Sequence, residues 1–233
     1  MHLTGRLGFC YDTIMKYILG IFAFIFLNVA PASAYELVVT EANQPYEVVT
    51  IESDKGPEHV YLGELDNFPV IYEIKVDEST DFNVQIRQLY KGVGTPLLYS
   101  LILIRENELD GGVTEIARLT PDVQDWTMVK DSVLGITFWE SEVLTSIVDS
   151  GVYRIEISSP ENTGRYMLTI NNNTEKLGYF ATLTNVRTTQ AFFGYSIFKM
   201  LVSSYLYYAF GILFLLFVIY RTWKYRQAIT NVS

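Results

Sequence analysis

The chain has 233 residues, 49% of them hydrophobic and 15% aromatic, with 17 Lys+Arg against 26 Asp+Glu and a single cysteine. So much apolar material excludes a disordered protein, and one cysteine excludes a disulfide scaffold. A net charge of −9 excludes a general nucleic-acid binder, because phosphate binding needs a basic surface.

Residues 1–34 read as a secretory signal peptide. Met15-Lys16 supplies a basic start, Tyr17 to Val29 an apolar core of 13 residues, and Ala32-x-Ala34 a small-residue cleavage site. Such a core enters a translocon but falls short of the roughly 20 residues of a membrane span. Residues 1–14 add nothing a signal requires, which makes Met15 a candidate true start. Cleavage predicts a mature chain beginning at Tyr35; the alternative is an uncleaved N-terminal anchor. Leu7-Gly-Phe-Cys10 superficially resembles a lipobox, but no apolar core precedes it. Cys10 and His2 leave with the signal, so the mature chain keeps His59 and no cysteine. An exported domain without disulfides suits a bacterial or archaeal surface protein.

Residues 35–176 hold 25 acidic and 10 basic side chains, a difference of −15, so the negative charge belongs to this part. Short β-branched and aromatic runs alternate here with Gly, Pro, Asp and Asn. They predict strands at 36–40, 46–52, 59–62, 70–76, 82–89, 97–105, 113–118, 133–139, 152–157 and 165–170. Val70, Tyr72, Ile74 and Val76 against Ile71, Glu73 and Lys75 is a clean period of two, and Phe82, Val84, Ile86 is another. The nearly continuous apolar run 97–104 predicts a central strand covered on both sides. No long helix is expected before residue 177, although 141–148 could form a short one. The pattern predicts a mainly β fold, an antiparallel β-sandwich ectodomain of jelly-roll type.

The end of this region carries a repeated phrase. Gly151-Val-Tyr153-Arg-Ile155-Glu-Ile157 returns 13 residues later as Gly164-Arg-Tyr166-Met-Leu168-Thr-Ile170. Tyr153, Ile155 and Ile157 share one strand face, as do Tyr166, Leu168 and Ile170. Pro160-Glu-Asn-Thr163 suits a hairpin loop between them. The phrase resembles the last strands of the bacterial pre-peptidase C-terminal (PPC) family and related jelly-roll domains, securely over about 20 residues and loosely over 58–172. That resemblance implies an accessory, noncatalytic β-sandwich of an exported protein. No peptidase segment accompanies it here, so a part in proteolytic processing does not carry over, and the plan is that of a single-pass surface protein.

Candidate chemistry is sparse. His59 is alone in the mature chain, so neither a multi-histidine zinc site nor a Ser-His-Asp triad has its parts, and it reads as a surface or edge histidine. There is no phosphate-binding glycine motif. Scattered carboxylates read as a solvated surface rather than a glycosidase pair. Calcium is the remaining cofactor expectation. It would use the oxygen-rich clusters Asp77-Glu78-Ser-Thr-Asp81 and Glu106-Asn-Glu108-Leu-Asp110, with Asp77, Asp81, Glu106 and Asp110 as ligands. Neither cluster has EF-hand spacing. Asn172-Asn-Thr174 is a formal glycosylation sequon.

Residues 177–199 (LGYFATLTNVRTTQAFFGYSIFK) form an aromatic juxtamembrane segment poor in proline, unlike a flexible stalk. Phe180, Phe192, Phe193, Tyr195 and Phe198 are expected to pack on the domain or to lie at the headgroups. Residues 200–220 then run 21 residues without a charge, about 31 Å of helix, and predict a transmembrane partner in the lipid bilayer. Arg221, Lys224 and Arg226 open a short basic tail, 221–233, and place it in the cytoplasm. With the signal, this gives a single-pass cell-membrane protein with its N-terminal domain outside.

These features predict a noncatalytic interaction module that recognises an extracytoplasmic protein or glycan. The alternative is an accessory subunit of a membrane complex that assembles through residues 177–226. A hydrolase comes third.

Overall fold

A computed structural model describes residues 33–34, 36–40, 42, 44–51, 59–107, 111–120, 122–171, 175–176 and 178–230. The signal segment up to residue 32, Asp110 and the sequon at 172–174 lie outside these residues. The described strands are, in chain order, β1 (Ser33–Ala34), β2 (Glu36–Thr40), β3 (Val48–Ile51), β4 (His59–Asp66), β5 (Val70–Val76), β6 (Thr80–Leu89) and β7 (Ser100–Glu106). They continue with β8 (Val113–Leu119), β9 (Thr127–Asp131), β10 (Ile136–Glu140), β11 (Leu144–Val148), β12 (Gly151–Ser158), β13 (Thr163–Ile170) and β14 (Glu175–Lys176). Helices α1 (Tyr179–Phe192) and α2 (Ser204–Thr230) follow, joined through a 3₁₀ turn at Ile197–Val202.

Two sheets face each other. One has seven strands in the order β2-β4-β13-β6-β10-β9, with β11 also on β6; the other has five in the order β3-β5-β12-β7-β8. The sandwich is mixed rather than purely antiparallel, because β2 pairs with β4, and β3 with β5, in parallel. From β2 to β6 successive strands alternate between the sheets. Two strands of one sheet separated by a single strand of the other therefore run the same way.

The repeated phrase is not a hairpin. β12 lies between β5 and β7 in one sheet, whereas β13 lies between β4 and β6 in the other. The turn between them crosses from sheet to sheet, closed by the Asn162 amide on the Ser159 carbonyl at 3.0 Å. Each copy thus supplies one central strand per sheet. Their tyrosine faces, Tyr153/Ile155/Ile157 and Tyr166/Leu168/Ile170, are buried in a single core with Tyr72, Ile74, Phe82, Ile86, Leu101 and Leu103.

Two other expectations change. The stretch Leu144–Val148 is strand β11, with Val148 buried and Ile147 turned outward, and it ladders onto the first half of β6. Its β-branched alternation outweighs any helical tendency. Strand β7 buries only Leu101 and Leu103, while Ile102 and Ile104 are half-buried on its other face. The strands covered on both sides are β4 and β13. Their second faces, through Val60, Leu62 and Met167, join Ile136 and Phe138 in a separate cluster.

Helix α1 covers that second face. Val186 and the following Phe193 enter the cluster, and the Phe193 ring meets Phe138 edge-on at 5.5 Å. Phe192 and Tyr195 pack against its rim, while Phe180 and Phe198 remain exposed. Fully buried Gln190 donates its amide to the Leu134 carbonyl at 2.7 Å. Ser203, also fully buried, donates to the Val133 carbonyl at 2.5 Å, and the Ser204 amide donates to Ser132 at 2.9 Å. One β9–β10 turn therefore receives both α1 and the first residues of α2. Gly135 makes room there: a Cβ at that position would lie 3.0 Å from the Val202 carbonyl carbon.

Within α2, residues Ser204–Tyr225 form a 22-residue apolar stretch none of which is buried in the protein. At about 33 Å it is long enough to cross a membrane.

Candidate binding groove

Of the expected calcium ligands, Asp77, Asp81 and Glu106 lie among the described residues. Asp77 makes a long ion pair with Lys75 at 3.9 Å, and Asp81 is exposed opposite Ile147. Glu106 is held by Arg154 at 2.6 Å, and the same guanidinium bonds Glu73 at 3.0 Å. Among the described residues, no three His, Cys, Asp or Glu side chains gather in a metal-holding group. His59 is not at a sheet edge: it lies in β4 with Glu36 of β2 on one side and Ile170 of β13 on the other.

A concave feature with mixed chemistry lies at one end of the seven-stranded sheet. A groove of about 420 Å³ opens there between the ends of β4, β13 and β6, with Trp139 of β10, Phe193 and loop 90–99 as walls. Its centre is an ion pair between Arg165 and Glu64 at 2.9 Å. Arg165 also donates to the Phe192 carbonyl at 2.6 Å, and its guanidinium lies over the Phe192 ring at 5.4 Å. This one side chain joins β4, β13 and the C-terminal end of α1. A second groove of about 520 Å³ flanks the same pair on the side of Thr40, Asp66 and Phe192.

Loop 90–99 is shaped by its own residues. Gly92 and Gly94 take positive φ values of 87° and 98°, which glycine adopts without a Cβ penalty. At the loop's far end Gln88 makes two hydrogen bonds to Leu97. Its amide donates to the carbonyl, and its carbonyl accepts from the backbone N–H, both at 2.8 Å. At the near end the Tyr90 hydroxyl donates to the Gly92 carbonyl, and its ring meets Trp139 edge-on at 5.3 Å. Between these fixed ends Val93 is 86% exposed. Lys91 and Thr95 also line the groove.

Beneath the groove lies a tyrosine cluster. The Tyr72 and Tyr166 hydroxyls share a hydrogen bond of 2.9 Å, and the Tyr99 ring meets Tyr166 at 5.7 Å. Burial pushes the Tyr72 hydroxyl up to about 12 despite that bond. Burial, with a further push from the Glu64 carboxylate, raises Tyr99 beyond the ordinary tyrosine range. All three are neutral and belong to the inter-sheet core, with Tyr99 behind the groove residue Gly164. The groove thus offers one cation–anion pair, a lysine, a hydroxyl and apolar walls, a set suited to holding a polar ligand with an apolar face.

None of Glu64, Lys91, Gln88 or Arg165 stands out in the sequence as a site. Arg165 sits inside the repeated phrase, where it reads as the outward residue of a strand. The usable signal was Lys91-Gly-Val-Gly-Thr-Pro96, a glycine and proline cluster between two apolar runs.

No protein-family model matches the chain, and no curated protein matches it. Among solved structures it is similar to the pre-peptidase C-terminal domain of a collagenase from Bacillus anthracis, at 14% identity and a TM-score of 0.37, over 56% of this chain and 100% of that one. It is similar to a Yersinia pseudotuberculosis-derived mitogen, at 16% identity and a TM-score of 0.34, over 52% and 89% of the two chains. A periplasmic inhibitor of g-type lysozyme from Aeromonas hydrophila follows, at 14% identity and a TM-score of 0.32, over 59% and 98%.

Proposed function

We propose that the chain is a noncatalytic binding module, exported and held at the cell surface by α2, whose groove at Glu64–Arg165 receives an extracytoplasmic protein or glycan. The observation that carries this reading is the groove itself. It pairs charged and hydroxyl groups with apolar walls, and its loop is held at both ends with an exposed tip between. Its carboxylate is engaged by Arg165 rather than set against a second acid. The basic residues at the C-terminal end of that stretch, Arg221 and Lys224, favour a cytoplasmic C-terminus and an outward-facing sandwich.

The test uses the full chain in its native membrane with a photoreactive residue at Thr95 or, separately, at Phe214 of α2. The reading predicts a discrete adduct from position 95. That adduct should persist when α2 is exchanged for an unrelated apolar helix and vanish when Lys91→Glu is added. Adducts from position 214 alone would contradict it and favour an accessory subunit that assembles through its helix.

A further inference from the structure

After Gly194 the chain doubles back, and the Ile197–Val202 turn leads into α2 through Ser203 alone. A 3₁₀ turn has three residues per turn, so Phe198 and Leu201 lie one above the other. Phe198 is 75% exposed, and Ile197, Leu201 and Val202 are each at least half exposed. Phe180, 81% exposed, is close by: its neighbour Tyr179 donates to the Tyr205 carbonyl at 3.2 Å and stacks on the Tyr205 ring at 5.7 Å. Five bare apolar side chains therefore gather where the apolar helix begins. Single exposed apolar residues are ordinary on a protein surface; such a gathering marks a contact. The one cation of the turn, Lys199, is drawn aside over the Tyr195 ring at 4.8 Å.

We infer that Ile197–Val202 and Phe180 form a collar immersed in the interfacial layer of the bilayer, on the leaflet facing the sandwich. The occupant is lipid because the backbone that carries the collar becomes the spanning helix two residues later, and Ser203 is fixed to the Val133 carbonyl. Val202 thus lies within the zone, about 5–10 Å deep, in which interfacial apolar groups rest. Tyr195 and Tyr179 supply amphipathic rings at headgroup level, with Lys199 beside them. This contact is independent of the groove's ligand, and it sets the height of the sandwich above the membrane.

Site-directed spin labelling tests it on the full chain, with C10S removing the native thiol, in phosphatidylcholine–phosphatidylglycerol nanodiscs. Labels are placed singly at Phe198→Cys and Leu201→Cys, with Ile147→Cys, exposed on β11, as the aqueous reference. All three side chains lie outside the protein core, so labelling leaves the core intact, and either collar position suffices. The collar predicts collision with the polar relaxant nickel–EDDA severalfold below the reference, and collision with oxygen severalfold above it. Nickel accessibility equal to the reference overturns the proposal. Shielding from both relaxants, as a second protein seated on the turn would produce, overturns it equally.

Discussion

At the scale of single residues, close backbone approach shapes both the core and the groove wall. A Cβ on Gly164 would lie 2.5 Å from the Tyr99 hydroxyl and 2.6 Å from Leu97 Cδ1, and the residue has φ +117°. Gly164→Ala is therefore expected to destabilise the fold by about 3 kcal/mol, overpacking and backbone strain together. Gly94→Ala has the strain, at φ +98°, with nothing within 4 Å, and should cost only about 1 kcal/mol. Urea unfolding of the two variants separates the effects. The tyrosines make a second prediction. Tyr72 ionises at an ordinary value of 10.0 in the unfolded chain but at about 12 when folded, so the unfolded state loses its proton first. Its contribution to stability is whole below pH 10 and is lost as pH rises from there toward 12, with Tyr99 and Tyr166 acting in the same direction. Tyrosinate absorbance should accordingly rise in two stages, exposed tyrosines first and the buried three only with unfolding. A single stage with the ordinary midpoint would contradict the buried hydroxyl pair.

At the scale of elements, the stitches between α1, α2 and the β9–β10 turn hold the helices to the sheet. Gln190→Ala removes the donor to the Leu134 carbonyl in a fully buried setting and should cost about 2 kcal/mol. Hydrogen exchange is then expected to accelerate in α1 and in residues 132–135 while β5, β7 and β12 keep their protection. Uniform acceleration would mean that α1 folds only as part of the whole sandwich. The same elements mark what was legible from sequence. Inward faces could be read locally, because Tyr72, Ile74 and Val76, or Phe82, Val84 and Ile86, alternate with polar neighbours whatever strand lies beside them. Pairing could not. The repeated phrase looked like a hairpin because its loop suits one, yet the strands that β12 and β13 join lie at least 48 positions away, and only the crossover between sheets separates them. The groove was hidden for the same reason. Glu64 and Arg165 are 101 positions apart and meet only through the β4–β13 register, Arg165 opposite Glu64.

At the scale of the molecule, the hydrophobic content divides among an inter-sheet core, a second core under α1, and a helix that no protein covers. Between sandwich and helix there is no flexible stalk, because Gln190, Ser203 and Ser204 all bind the turn at 132–134. The end of the seven-stranded sheet that holds the groove is also the end where α2 begins, since Leu89 of β6 pairs with Phe138 just after that turn. If α2 crosses a membrane, a groove so placed is held near it at a fixed angle. The most direct measurement of this claim is amide relaxation by nuclear magnetic resonance on the full chain in nanodiscs. The structure predicts that amides of the sandwich tumble with the whole particle. Fast, independent tumbling of residues 59–171 would contradict it.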